Sequence, residues 1–326
     1  MGKYLIFRTD RIGDLIFSKI IINSILNKDS KNTIDLVCSP YNSNYAKNYK
    51  NINKTYILDK YNLILMIKNI FRINSIKYDY LIILDSKRRS FFFSIFLNAK
   101  YKIALVKNWR PRLLLKFFFD RFIINSDVVP QYQNFSTLAN MLDIKLDKEI
   151  DYYQNFIGKR RKLTKNSNYL LLHLDEKWFD GFYHKDYTSI GLNFRNFNSL
   201  INSLFKKFKK RIIITTGKLE IKNLNIIINN FFNKISSYEY ASIKFKKKLM
   251  LFHNINFEDL EFIVKNSSIV FCCEGAISHV SHAYKKKTYA LIDDYITAKF
   301  WTDHMNNIKI MKRSSIKEIC NKIKNL

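Results

Sequence analysis

Short apolar runs separated by longer stretches of helical period recur in two series along this chain, and that alternation limits it to a parallel-stranded α/β architecture. The first series is KYLIFR (3–8), TIDLVCS (33–39), TYILD (55–59), YDYLIILD (78–85) and YKIALV (101–106). Several of these runs are apolar on both faces, as parallel strands covered by helices on each side must be. The stretches between them, such as Leu15 to Leu26 and Tyr61 to Ile76, are long enough for crossover helices. The second series is NYLLLHL (168–174), RIIITTG (211–217), KLMLFH (248–253), SIVFCCE (268–274) and TYALID (288–293). A polar, basic stretch from Lys145 to Ser167, containing GKRRKLTKNS, lies between the two series and reads as a linker. The 326 residues suit two domains of about 150 residues each. The expectation is an N-terminal domain over 1–150 and a C-terminal domain over 151–326, both doubly wound and Rossmann-like, facing a central cleft.

Composition excludes several classes. With 47% hydrophobic and 15% aromatic residues the chain has ample material for a core, and no uninterrupted apolar run approaches the about 18 residues of a spanning helix. Met1 leads straight into a strand pattern without the parts of a signal peptide, so a cytoplasmic protein is expected. Cys38, Cys272, Cys273 and Cys320 lack zinc-ligand spacing and read as reduced structural thiols. A formal charge of +29 points to an anionic partner: nucleic acid, a membrane surface or a phosphorylated substrate. Lys, Asn, Ile, Phe and Tyr, whose codons are AT-rich, crowd the chain, so the location of the charge is more informative than its total. In KRRSFFFSIFLNAKYK (87–102) and NWRPRLLLKFFFDRF (108–122) basic residues bracket aromatic clusters. Such segments dock on an anionic leaflet or, equally, form crossover helices with basic ends.

Gly13, Gly217 and Gly275 each stand at the end of an expected strand, just before an expected helix, where ligands of open parallel sheets bind. Neither GxGxxG nor a P-loop occurs, which argues against a nicotinamide or flavin enzyme. In FRTDRIGDLIFSK (7–19) the turn TDRIG leads into a helix that begins at Asp14, with Leu15, Ile16 and Ile20 on its apolar face. Asp14 is either a helix cap or, kept ionised by the helix dipole, a general base. Arg8 and Arg11 beside it are a salt-bridged rim or a clamp for phosphate or carboxylate. In IVFCCEGAISHVSHAYKKKTYALID (269–293) Glu274 ends a strand, Gly275 turns, and the helix from Ala276 offers amides to a diphosphate. His279 and His282, at i and i+3, fit buried, hydrogen-bonded histidines better than metal ligands.

RTDRIGDLIFSKIIINSI, YDYLIILDSKRRSFFFSIFLNAKYKIALV and CCEGAISHVSHA, in this order and spacing, resemble glycosyltransferase family 9, the lipopolysaccharide heptosyltransferase-like enzymes. The resemblance implies a GT-B fold with acceptor bound mainly by the first domain and nucleotide sugar by the second. It further implies inversion at the anomeric carbon, with neither metal nor cofactor. It makes Asp14 the base, and Arg8 and Arg11 beside it, with Asp10 in the same turn, are then expected on the acceptor side. Lys177, in HLDEKW, falls where the family contacts the donor phosphates, and Glu274, Gly275, Ala276 and His279 complete the donor side. The family's Asp-x-Gly-x-x-His motif meets Glu274 in place of aspartate and a glycine one position early, so the sugar need not be a heptose. The implied partners are a nucleotide-sugar donor, an acidic glycan or glycolipid acceptor and an anionic membrane surface. Two other readings stay open: a noncatalytic carbohydrate-binding or assembly protein on a decayed transferase fold, and a nucleic-acid-binding protein, for which no motif is present.

Overall fold

The computed structural model of the chain describes residues 1–107, 112–126, 128–146, 168–179 and 190–326, with the side chains of 112–114 excepted. The chain divides into two compact units, Met1–Phe156 with Lys299–His304, and Ile157–Ala298 with Met305–Leu326. The linker expected over 145–167 lies, apart from Lys145 and Leu146, outside the described residues.

The first unit alternates strand and helix: β1 (Lys3–Arg8), α1 (Ile12–Lys28), β2 (Thr33–Cys38), α2 (Pro40–Lys47), β3 (Lys54–Ile57), α3 (Leu63–Asn74), β4 (Tyr78–Ile83), α4 (Arg88–Ile95), β5 (Ala99–Lys107), α5 (Arg112–Phe118), β6 (Arg121–Asn125) and α6 (Gln131–Asn140). The strands pair in parallel in the order β3-β2-β1-β4-β5-β6. The order reverses between β1 and β4, which makes the carboxyl ends of those two strands the switch point of the sheet.

α1 was expected to bury one apolar stripe. Instead every residue from Leu15 to Ile25 is buried. Its outer side is covered by Phe135, Trp301 and His304, whose rings lie 4.8, 6.0 and 5.3 Å from that of Phe17. The cost of enclosing Lys19 is met by its ammonium, which donates to Tyr45 Oη at 2.7 Å and sits 4.6 and 4.3 Å over the rings of Tyr45 and Tyr49. The helix also starts earlier than expected. Arg11, extended at φ −83° and ψ 166°, is its N-cap, so Gly13 lies in the first turn and Asp14 is the third helical residue.

The second unit contains β7 (Tyr169–Leu174), a 3-10 turn (Glu176–Trp178), α7 (Phe194–Phe208), β8 (Arg211–Thr216), α8 (Lys222–Phe231), β9 (Phe232–Lys234), β10 (Glu239–Ser242), β11 (Lys246–Phe252), α9 (Phe257–Asn266), β12 (Ile269–Cys273), α10 (Ala276–Ala283) and β13 (Lys287–Ile292); α11 (Tyr295–Thr302) then leads to β14 (Ile308–Lys312) and α12 (Ile316–Lys324). Its eight strands run β14-β13-β12-β7-β8-β11-β10-β9. All pairings are parallel except those of β10, which is antiparallel to both β11 and β9. Here the order reverses between β7 and β12, giving a second switch point. Leu170, Leu172, Phe271, Leu200 and Ile319 belong to one core between this sheet and the helices on that face. Gly217 is followed by an irregular segment rather than directly by a helix, since α8 begins only at Lys222. All four cysteines are buried and unbridged.

Candidate active site

The carboxyl end of β1 is occupied by a network of ionisable side chains. Register pairs Phe7 with Ile83, which brings the next residues, Arg8 and Thr9, beside Leu84 and Asp85. Arg8 is 1% exposed and faces inward: its guanidinium donates to the carbonyls of Leu84 and Asp14. It also lies 3.3 Å from Asp10 Oδ1 and 3.6 Å from Asp14 Oδ1. Asp14 Oδ2 in turn accepts from the Arg11 amide at 3.2 Å, the back-reaching half of a capping box. Arg11 itself is exposed.

Asp85 gathers four donors: the amide and hydroxyl of Thr9 at 2.8 and 2.6 Å, the Ser90 hydroxyl at 2.6 Å and the Lys87 amide at 3.1 Å. Arg89 closes the same corner by donating to the Thr9 carbonyl and hydroxyl. Two carboxyl groups, those of Asp10 and Asp14, thus stand near the buried Arg8 guanidinium, with Asp85 held by its own donors in the same corner. Burial, followed by the charges of Asp14 and Asp85, outweighs the attraction of Arg8 and pushes the Asp10 carboxyl up to about 8. The two aspartates of TDRIGD, alike in sequence, differ in environment.

The second switch point is built the same way at the ends of β7 and β12. Asp175 caps the 3-10 turn by accepting from the Lys177 amide at 3.1 Å, and its other oxygen takes the Lys177 ammonium at 2.8 Å. Gly275 is the N-cap of α10 at φ 152° and ψ −156°, a conformation open essentially only to glycine. A β-carbon there would approach Lys177 Nζ, so the ammonium stands beside the N-cap of α10. Burial pulls the Lys177 pKa down, but Asp175 above all, then Cys273 and Glu274, outweigh it and hold the lysine cationic. Glu274 is ion-paired with Arg313, whose side chain is 1% exposed. Burial raises the Glu274 pKa against the opposing pull of Arg313 and Lys177.

Ala276 is half-buried and His279 buried on α10. His282 pairs through Nδ1 with Asn307 Oδ1, and burial lowers its pKa. Among the described residues no group of three or more His, Cys, Asp or Glu is placed to hold a metal ion. On β7, His173 pairs with Thr215 Oγ1 at 3.0 Å, and burial pushes its pKa down to about 4.

Asp175, Asp85 and Arg313 did not emerge from the sequence reading. Asp175 has a local signature, an aspartate two residues before a lysine at a strand end, and Asp85 ends a strand as Glu274 does. Arg313 has none, being brought to the end of β12 by the pairing of β13 with both β12 and β14. A local concentration of positive charge lies elsewhere in the second unit. A cavity of about 800 Å³ at the amino ends of β8 and β11 is lined by Arg211, Lys244, Phe245, Lys246, Lys247 and Lys248.

No protein-family model matches the sequence, and no curated protein is similar to it. Solved structures do match in shape. The E. coli heptosyltransferase WaaC with ADP superposes with a TM-score of 0.73 at 12% identity over 99% of both chains. A family 9 glycosyl transferase from Veillonella parvula gives 0.70 at 10% identity, covering 98% of this chain and 91% of that one. The E. coli ADP-heptose lipopolysaccharide heptosyltransferase II gives 0.66 at 9% identity over 100% and 98%. The chain has the GT-B fold. Within a GT-B chain each unit carries its own switch point, and here both are lined by charged side chains. The expected α/β class of two doubly wound units stands, with a β9–β10 extension that the expectation lacked.

Proposed function

We propose that this protein is an inverting, metal-independent glycosyltransferase that moves a sugar from a nucleotide-sugar donor to an acidic glycan or glycolipid acceptor at the cytoplasmic face of a membrane. The observation that carries the reading is the Lys177 ammonium beside Gly275 at the start of α10. An ammonium and helix amides converging on one point are suited to a diphosphate, and their countercharge grows in value as the glycosidic bond breaks. The similarity in fold to family 9 structures supports the same assignment.

In this reading the acceptor oxygen forms its bond to the anomeric carbon from the face opposite the nucleotide. The bond from that carbon to the diphosphate breaks, and the acceptor proton passes to Asp14. Lys177 and the amides following Gly275 receive the leaving nucleoside diphosphate. Arg8, turned inward onto Asp10 and Asp14, acts as a positioning residue, while the exposed Arg11 meets the acid groups of the acceptor. Glu274, Ala276 and His279 face the transferred sugar and its diphosphate. The longer side chain of Glu274, where the family has aspartate, implies a different sugar or a different pose.

A panel of nucleoside diphosphates and nucleotide sugars, added in chelator and read by thermal shift, tests the donor assignment, since a ligand of the folded state raises its stability. One nucleoside diphosphate is expected to stabilise wild type and to lose that effect in Lys177→Gln. Absence of any stabilisation, or stabilisation only with a divalent ion, overturns the reading.

A further inference from the structure

The helices of the first unit cover its sheet unequally. The chain moves from β1 to β3 in one direction and returns past β1 to β4, β5 and β6 in the other, so right-handed crossovers place α3, α4 and α5 together on one face. The packing agrees: Ile73 of α3, Phe93 of α4 and Leu115 of α5 share one core with Leu5, Phe7 and Leu81 of the sheet. Asn74 at the end of α3 is tied to α4 by its side chain, which donates to the Phe96 carbonyl and accepts from the Asn98 amide.

The outer side of this layer is apolar where a surface helix is ordinarily polar. On α3, Leu63, Ile64, Ile67 and Phe71 are 67%, 81%, 46% and 73% exposed. They stand at the spacing of one helical face, while Met66, Ile70 and Ile73 of the same helix pack inward. Phe92 and Phe96, half or more exposed, stack edge to face on α4, and Phe117 of α5 is 82% exposed. Exposed Lys68, Arg72, Arg88, Lys100 and Lys116 are interspersed among them. No aspartate or glutamate occurs between Lys60 and Tyr78, or between Ser86 and Phe119.

We infer that the α3–α4–α5 layer is a membrane-docking face that inserts its apolar side chains into an anionic bilayer. Charge selects this occupant. A second copy of the chain, meeting it through a two-fold axis, would set the same cations against each other, whereas anionic headgroups neutralise them while the rings and aliphatic chains enter the acyl boundary. The sequence stretches 87–102 and 108–122 contribute through α4 and α5, although residues 108–111 lie outside the described residues. α3, which reads in sequence only as a crossover helix, supplies four of these exposed apolar side chains, more than α4 or α5. The inference deepens the location given to the proposed transferase, but vesicle binding measures it without donor or acceptor, so failure of one does not imply failure of the other.

Co-sedimentation with phosphatidylcholine vesicles, with and without about one third phosphatidylglycerol, tests it. Wild type is expected to partition onto the anionic vesicles at least tenfold more strongly than onto neutral ones. The combined substitutions Ile64→Gln, Ile67→Gln and Phe71→Gln should lower that partition at least tenfold, as should Lys68→Gln, Arg72→Gln and Lys116→Gln together. Should the triple apolar variant misfold by circular dichroism, Phe71→Trp is read instead, and a blue shift of its emission on anionic vesicles, beyond any shift of wild type, is expected. Unchanged partition of folded variants, no such added shift in the Phe71→Trp variant, or a wild-type dimer that the apolar substitutions dissociate while vesicle binding persists would each overturn the inference.

Discussion

A β-carbon added to Gly275 would sit 3.3 Å from the Nζ of Lys177. The backbone there also has φ 152°, so Gly275→Ala meets two obstacles at once. The strained conformation costs about 1–3 kcal/mol, and relief of the contact moves the ammonium away from the amides of α10. The expected outcome is a lower unfolding midpoint in urea together with a nucleoside diphosphate affinity reduced at least tenfold in a thermal-shift titration. Lost stability with undiminished affinity would separate Gly275 from the donor and leave it a purely conformational glycine.

Arg313→Met should destabilise the second unit more than Glu274→Gln does. Arg313 is almost wholly enclosed, while its partner Glu274 remains 24% exposed. Taking away the cation strands a half-buried carboxylate, toward the low end of the about 3–5 kcal/mol typical of a broken buried pair. Glutamine keeps the size and one hydrogen-bonding oxygen for Arg313. Urea midpoints of the two variants make the comparison, and equal losses would show that the pair is not what holds the corner.

The strands that the sequence conceals are those at or near sheet edges. β6 ends the first sheet with no fully buried residue, β14 ends the second, and β9 and β10 form its other border. Half-exposed edges mix polar and apolar side chains, so neither a continuous run nor a clean alternation marks them. The central strands, apolar on both faces, announce themselves. At the candidate site, Asp14 and Gly275 stand out because each belongs to a local strand-turn-helix pattern, whereas Lys177 is reached only through the resemblance to glycosyltransferase family 9. The start of α1 is misread because an acid near a helix amino end can serve either at the N-cap, accepting from first-turn amides, or at the third position, reaching back to the N-cap amide as Asp14 does to Arg11. Arg313 lies 39 residues beyond Glu274, a partnership only strand order creates. Asp10 differs from a free carboxylate because burial above all, then the charges of Asp14 and Asp85, raises its pKa against the pull of Arg8, which two aspartates in a turn do not reveal.

That difference makes stability depend on pH in a definite direction. Asp10 is raised from 3.8 to about 8 in the folded chain, so between those values the folded state holds a proton that the unfolded chain has released. Stability therefore falls as pH rises from about 4 through about 8. His173 acts in the opposite sense, since its pKa is lowered from 6.5 to about 4 and the folded state loses stability as pH falls through that range. From pH 6.5 to 8.5 the Asp10 contribution is therefore separable. Asp10→Asn is expected to flatten the decline of Tm over this interval. Parallel profiles for wild type and variant would show that Asp10 is an ordinary carboxylate.

Asp14→Asn isolates the proposed base from its structural duty. The carboxylate accepts from the Arg11 amide through Oδ2, and an asparagine side-chain oxygen makes that bond equally well, so α1 keeps its amino end. What disappears is the capacity to take a proton. Transfer at saturating donor and acceptor should fall about 10²- to 10⁴-fold, the usual contribution of a positioned acid or base. Nucleoside diphosphate affinity should stay at the wild-type level, because in the proposed reading Lys177 and the amides following Gly275, not Asp14, hold the diphosphate. Saturation is essential to the comparison. Arg8 lies 3.6 Å from Asp14, and once that charge is gone a change in acceptor affinity would imitate a rate defect at low concentration. A variant that retains near-normal saturated turnover transfers the role of base to Asp10, whose carboxyl at about 8 would then appear as a matching rise in the pH–rate profile.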